Sequence, residues 1–134
     1  MDSNASLTPP AGALLRVLVA DDNPDMLDLV ASLLRKEGFL VGEATDGAEL
    51  LGLANDGSQA NLIVADVQMP VTSGLEVLSH MRTHHPQVPI ILMSAFATHQ
   101  LRERARENGA AAVLAKPFSI ATLRELVARH VRRD

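Results

Sequence analysis

Residues 62–66 read Leu-Ile-Val-Ala-Asp, four apolar side chains in a row followed at once by a carboxylate. A run this short, with no polar alternation, reads as a strand buried on both faces, as the strands of a parallel sheet are. The texture recurs in Leu15–Ala20 (LRVLVA), Phe39–Ala44 (FLVGEA), Pro89–Met93 (PIILM) and Ala112–Ala115 (AVLA). Between these runs the apolar residues fall at helical spacing. Pro24–Gly38 carries Met26, Val30, Leu33 and Leu34 on one stripe and closes on Gly38, a C-terminal capping residue. Asp46–Asp56 opens with Asp46 and Glu49 at capping-box spacing, and Ser73 with Glu76 repeats the pattern before Leu75, Leu78 and Met81. Thr98–Asn108 is a charged helix ended by Gly109. Ser119–Val131 sets Ile120, Leu123, Leu126, Val127 and Val131 on one side. Five strands alternating with five amphipathic helices predict a three-layer, doubly wound α/β domain with a parallel sheet.

Composition agrees with one such domain. The chain has 134 residues, 47% of them apolar and 21% charged, enough to bury a core but not to build two full domains. Cysteine is absent, which excludes disulfide frameworks, thiolate nucleophiles and zinc-thiolate sites. Three Phe, with no Trp or Tyr, argue against modules that read nucleic acid by stacking bases on aromatic platforms. No apolar run approaches the roughly 20 residues that span a bilayer. The first residues lack the basic start of a signal peptide, so a cytoplasmic protein without membrane contact is expected. Residues 1–13 (MDSNASLTPPAGA) have no periodic pattern and read as a flexible tail, leaving 14–134 as the folded unit. The net charge of −4 is unevenly spread: residues 1–100 carry 4 basic and 12 acidic side chains, residues 101–134 carry 8 and 4.

The excess acids gain a meaning from where they fall. In a doubly wound sheet the ligand site lies at the carboxyl ends of the strands. Strand one ends in Asp21-Asp22, strand three in Asp66, strand four in Ser94 and strand five in Lys116-Pro117. Three carboxylates in one crevice repel each other unless a cation neutralises them. Hard oxygen donors point to Mg²⁺, with Mn²⁺ able to replace it. A divalent ion, an ammonium and a hydroxyl suit phosphoryl transfer, in which positioning and charge neutralisation do most of the catalysis. A carboxylate can itself be the nucleophile, and Asp66, the lone acid at a central strand end, fits that role. Asp21 and Asp22 fit as metal holders. Any one acid alone could equally cap a helix, and Asp22 or Asn23 stands before Pro24 at a first helical position. The whole set is not explained that way.

The segments VLVADDNPDM, LIVADVQMP, ILMSA and GAAAVLAKPF, in this order and spacing, resemble the receiver domain of two-component response regulators over about 120 residues, from Leu14 onward. The resemblance implies a flavodoxin-like fold with strand order 2-1-3-4-5. It implies that Asp66 accepts a phosphoryl group from a sensor histidine kinase or a histidine phosphotransfer protein. It further implies Mg²⁺ held by Asp22, Asp66 and the backbone carbonyl of Gln68, with Asp21 acting through water. Ser94 and Lys116 would then bind the phosphoryl oxygens, and the Lys116–Pro117 peptide would be cis. Such a domain acts on itself alone and turns over no external metabolite. It switches the face of helix four, strand five and helix five for partner binding or homodimerisation, and binds no nucleic acid directly. Any effector would lie on another chain or beyond residue 134. One departure stands out: three residues before Lys116 the family has Tyr or Phe, and this chain has Val113. A valine cannot swing a ring, so the loop Ala95–Thr98, with Phe96 as substitute reporter, is expected to carry the switch.

Other readings were weighed against this one. A phosphatase of the haloacid dehalogenase type needs an acid two residues after the nucleophile, where this chain has Gln68. A degenerate receiver serving only as an interaction scaffold does not need the full acceptor set that is present. A flavodoxin-like nucleotide binder would want a first loop rich in glycine or hydroxyls, and ADDNPDM supplies acids. His80 and His84 stand at metal-binding spacing, yet with no third ligand in obvious reach they read as a solvated helix face. The arginines at 102, 104, 106, 124, 129, 132 and 133 could form a docking surface. Glu103 and Glu107 alternate with Arg102 and Arg106, however, and favour a salt-bridged face.

Overall fold

The computed structural model describes residues 15–133; the expected tail, 1–13, lies outside the described residues. Its elements are β1 (Arg16–Ala20), α1 (Pro24–Lys36), β2 (Leu40–Ala44), α2 (Gly47–Ala54) and β3 (Leu62–Asp66). They continue with α3 (Gly74–His84), β4 (Ile90–Ser94), α4 (His99–Glu107), β5 (Ala112–Ala115) and α5 (Ile120–His130). The strands form one parallel sheet in the order β2-β1-β3-β4-β5, as the resemblance implies.

The two-residue period of the strands sorts the apolar side chains into two cores. Leu18, Ile63, Ile90 and Leu92 face one way and meet Leu50 of α2, Leu78 and Met81 of α3 and Ala105 of α4. Val17, Val19, Val64, Ile91 and Met93 face the other way and meet Val30 and Leu34 of α1 with Leu123 and Val127 of α5. This is why β3 and β4 are apolar up to their last residues, Asp66 and Ser94: neither face of either strand meets water. Edge strand β2 shows the contrast, with Leu40 and Glu43 exposed. No helix among the described residues is long and apolar enough to cross a membrane.

Helix ends follow the local chemistry. The Asn23 side chain accepts from the N–H groups of Asp25 and Met26, and Pro24 fills the first helical position. At the other end of α1, Gly38 has φ 98°, its N–H donates to Arg35 O and that of Phe39 donates to Leu34 O, a Schellman closure. Ser73 and Glu76 form the expected reciprocal capping box. Asp46 and Glu49 do not complete theirs: Asp46 caps Glu49 N–H, but Glu49 Oε1 accepts from Thr45, at 2.6 Å from its N–H and 3.1 Å from its hydroxyl. Two donors on one residue outcompete the single N–H of the cap. Strand four starts at Ile90 rather than Pro89, because proline has no N–H for the ladder, and it runs on to include Ser94.

Two features have no signature in the apolar pattern. Buried Asn61 joins three segments: Arg16 N–H donates to its Oδ1 at 2.8 Å, its Nδ2 donates to Arg132 O at 2.9 Å, and its own backbone exchanges bonds with both residues. It fastens the start of β1 to the chain beyond α5. Val71 is the single described non-glycine residue at positive φ, 70°, at the centre of a γ-turn closed by Thr72 N–H and Pro70 O at 2.8 Å. A β-branched side chain there is strained, and at 80% exposure it gains little packing in return.

Asn61→Ala leaves buried backbone groups without partners and is expected to lower unfolding free energy by about 2 kcal/mol, read as a lower urea midpoint at unchanged slope. Val71→Gly is expected to raise that midpoint, with a gain of about 1 kcal/mol once the added flexibility of the unfolded chain is deducted.

Candidate functional site

Because all five strands run the same way, their carboxyl ends share one edge, and the residues just past each apolar run gather there. Asp21 follows β1 and is held by a further ladder bond, its N–H donating to Ala44 O at 3.2 Å. Its carboxylate is fully buried, accepting from Asn23 N–H at 2.9 Å through Oδ1 and from Lys116 Nζ at 2.7 Å through Oδ2. Asp66 ends β3. Its Oδ1 accepts from Gln68 N–H at 3.3 Å and its Oδ2 lies 3.4 Å from Lys116 Nζ. Asp22 is exposed at the rim, and the three aspartates offer carboxylate oxygens within 4.8 Å of one another.

Lys116 is delivered by the end of β5, where its N–H donates to Ser94 O at 2.8 Å, and a cis peptide joins it to Pro117. The Ser94 side chain is buried, and its Oγ accepts from Phe96 N–H at 2.9 Å. The hydroxyl proton is thereby left to donate elsewhere.

Three carboxylates and one ammonium leave the pocket with a negative excess. Burial pushes the Asp66 carboxyl above the usual aspartate range, and the Asp21 charge adds to this; the Lys116 ammonium and the Gln68 N–H pull the other way. The donor set, hard oxygens closely grouped with too little positive charge beside them, fits a hard divalent ion such as Mg²⁺.

Close packing sets the position of Asp66. A Cβ on Gly74 would lie 2.4 Å from Asp66 O and 2.8 Å from Val67 Cα, so the first residue of α3 rests directly on the backbone of Asp66. A Cβ on Gly47 would lie 2.0 Å from Thr72 O, which brings α2 against the β3–α3 loop. Sequence reading singled out neither glycine for this role, since nothing local shows which backbone will approach.

The expected switch residues lie at the neighbouring strand end. Phe96 is 63% exposed, and Phe96 O accepts from Thr98 N–H at 2.8 Å in a tight turn leading into α4. Val113 is half-buried against the α2–α3–α4 core, and its carbonyl accepts from Arg102. Among the described residues, three of the seven arginines of that surface pair with acids: Arg106 with Glu103, Arg124 with Glu37 and Arg129 with Glu125. The His80 and His84 rings meet as their spacing predicts, and His85 approaches the same face, which the sequence reading had not foreseen. Burial, with His84 and His85 beside it, holds His80 below the usual imidazole range.

Comparison with known proteins agrees with this geometry. Residues 17–128 match the family model described as the response regulator receiver domain. The transcriptional regulatory protein PdtaR of Mycobacterium tuberculosis is 41% identical over 109 residues, covering 81% of this chain and 52% of that protein. PrrA of Mycobacterium bovis is 41% identical over 114 residues, covering 85% and 47%. The chain thus spans about half the length of these curated relatives. Among solved structures, the chemotaxis protein CheY4 of Vibrio cholerae superposes with a TM-score of 0.83 at 29% identity, over 89% of this chain and all of that one. A CheX-CheY-BeF3-Mg+2 complex from Borrelia burgdorferi gives 0.81 at 25%, over 86% and 87%. The phosphatase and nucleotide-binder readings find no support here, nor does the degenerate scaffold. This chain belongs to the response regulator receiver domain family of two-component signal transduction.

Proposed function

We propose that Asp66 is the phosphoryl acceptor of this receiver. The observation that carries the reading is the Lys116 ammonium, 2.7 Å from Asp21 Oδ2 and 3.4 Å from Asp66 Oδ2, beside three converging carboxylates. In the forward step an Asp66 carboxylate oxygen bonds to the phosphorus of a phosphohistidine on a sensor histidine kinase or phosphotransfer protein. The P–N bond breaks, and the departing imidazole regains a neutral nitrogen by taking up a proton. Water attack on the acyl phosphate later returns the Asp66 carboxylate and inorganic phosphate. Both steps occur on the protein itself, so the domain is a switch rather than an enzyme of metabolism.

Asp22, Asp66 and the Gln68 carbonyl, with Asp21 through water, would hold Mg²⁺ or Mn²⁺, which supplies charge neutralisation for the incoming phosphoryl oxygens. The chain's own groups do the rest. Lys116 Nζ, already at the acceptor, pairs with one phosphoryl oxygen, and the Ser94 hydroxyl donates to another. Asn23 N–H and Lys116 fix both oxygens of Asp21, so that this acid does not rotate when the site fills. The complex from Borrelia burgdorferi, named for BeF3 and Mg+2, supports such a site in a relative.

Drawing the Ser94 hydroxyl toward a phosphoryl oxygen would pull on Phe96 N–H and hence on the turn Ala95–Thr98. Thr98 caps α4, accepting from Leu101 N–H at 3.1 Å, so the pull reaches the face of α4, β5 and α5 without an aromatic at Val113. That face is read as the surface for partner binding or homodimerisation. The same reading takes 14–134 as the receiver unit, located in the cytoplasm, with no direct contact to nucleic acid.

Incubation with Mg²⁺ and acetyl phosphate should add one phosphoryl group to the wild type and none to Asp66→Ala, as read by intact-mass spectrometry. An equal adduct on both would defeat the assignment. With beryllofluoride, amide shifts should extend through 95–98 into α4; shifts confined to the Asp66 pocket would defeat the proposed route.

Burial of Asp66 has a consequence for stability. Between the ordinary aspartate pKa and its raised value the folded state keeps a proton that the unfolded state has lost. Stability therefore falls as pH rises through that window and stays lower above it. Asp66→Asn should be more stable than wild type at pH 7, with the difference closing as acid protonates Asp66. Added Mg²⁺ should narrow the gap at pH 7 by stabilising the wild type more.

A further inference from the structure

The C-terminal turn of α3 carries three histidines that the acidic pocket does not use. His80 and His84 are one turn apart, and their ring centroids are 4.3 Å apart with planes inclined by 36°. His85 caps the helix, and its non-helical backbone (φ −140°, ψ 63°) lets its ring come within 6.5 Å of that of His80. Asn55, the C-terminal cap of α2, reaches across to both: its Oδ1 is 2.7 Å from His85 Nε2, and its Nδ2 is 3.4 Å from His80 Nε2.

With the Asn55 amide placed this way, its oxygen accepts from His85 Nε2–H, which leaves the His85 lone pair on Nδ1. Its Nδ2 donates to the His80 Nε2 lone pair over a long 3.4 Å contact, which an incoming ion would displace. One imidazole oriented by a neighbouring side chain, with two more on the same helix end, makes a nitrogen-rich cluster, the arrangement that orients metal-binding histidines.

We propose that His80, His84 and His85 bind one late first-row divalent ion, represented by Zn²⁺, with water completing the coordination and Asn55 orienting His85. The helix sets the Cβ atoms of an i, i+4 pair about 5–6 Å apart, so side-chain rotation alone brings two ring nitrogens to the ~2.0–2.1 Å of a Zn–N bond. His85 would reach the same ion from the helix end by turning its ring, since only the three aspartates already bring their ligand atoms within 4.8 Å of one another among the described residues. Ligand chemistry separates this site from the acidic pocket: imidazole suits Zn²⁺, Ni²⁺ and Cu²⁺, whereas Mg²⁺ prefers carboxylate and water oxygens. The two lie at opposite ends of α3, about 15 Å apart along the helix axis at 1.5 Å per residue. The competing reading is that the histidines only fasten α3 to α2 through Asn55.

The test is calorimetric titration of the untagged chain with Zn²⁺ in excess Mg²⁺, which occupies the acidic pocket. One Zn²⁺ per chain is expected. His84→Ala, an exposed substitution that leaves the fold intact, should weaken binding by about tenfold or more, and His80→Ala and His85→Ala should do the same. Asp66→Asn should leave binding unchanged. In parallel, the imidazole proton resonances of His80, His84 and His85 should shift together with the first equivalent of Zn²⁺. The proposal is overturned by absence of stoichiometric binding under excess Mg²⁺. It is equally overturned by binding that survives His80→Ala/His84→Ala, or by binding that Asp66→Asn abolishes.

Discussion

One ammonium holds the acidic end of this domain together. Lys116 Nζ sits 2.7 Å from a carboxylate with no solvent exposure and 3.4 Å from another that is nearly as buried. Two buried carboxylates side by side would otherwise repel, and removing one partner from such a cluster leaves uncompensated charge in a poorly solvated place. The fold makes this cluster unavoidable. Asp21 and Lys116 directly follow β1 and β5 and Asp66 ends β3, and parallel strands in the order 2-1-3-4-5 bring those three ends to one edge. Lys116 offsets only part of the negative charge, and Asp66 remains harder to ionise than a free aspartate. The residual charge is of the kind that a hard divalent ion would neutralise.

Around that cluster the backbone is held by contact rather than by charge. Gly74 lies so close to Asp66 O that no side chain fits, and Gly47 lies as close to Thr72 O. The β3–α3 loop is thus clamped between α2 and the end of β3. Val71 occupies its turn at φ 70°, a conformation that a glycine would adopt without strain. Local strain beside the tightly held Asp66 is tolerated because the flanking contacts over-determine the loop.

The parts of this architecture that were legible in the sequence are those with a short-range signature. LIVAD and PIILM announce doubly buried strands, Ser73 with Glu76 announces a helix start, and the acids past the strand ends announce the site. What escaped depends on partners far away in the chain. Asn61 looks like an ordinary loop residue until Arg16 and Arg132 are placed beside it. Glu49 matches a capping box, yet a competing pair of donors on Thr45 takes its carboxylate. His85 lies outside the i, i+4 pattern of His80 and His84, and only the turned backbone at the helix end brings it to their face. In each case the deciding quantity is a contact or a backbone angle, which residue spacing does not encode.

Val113 sharpens the question of how a change at Asp66 would leave the pocket. A half-buried valine offers no ring to swing between an exposed and a buried position. The proposed route starts instead at Ser94. Its oxygen accepts the Phe96 N–H while its proton is available to a phosphoryl oxygen, so a single hydroxyl can couple the two without breaking either bond. Because Phe96 O holds Thr98 N–H and the Thr98 hydroxyl caps α4, the proposed coupling would run through two hydroxyl contacts and one backbone contact and need no large side chain. Such a route would move the start of α4 more than its end, where Ala110 N–H donates to Ala105 O and Ala111 N–H to Ile90 O of the sheet. On the proposed route the output would fall on the loop and the first turn of α4, where Phe96 is the largest exposed apolar group.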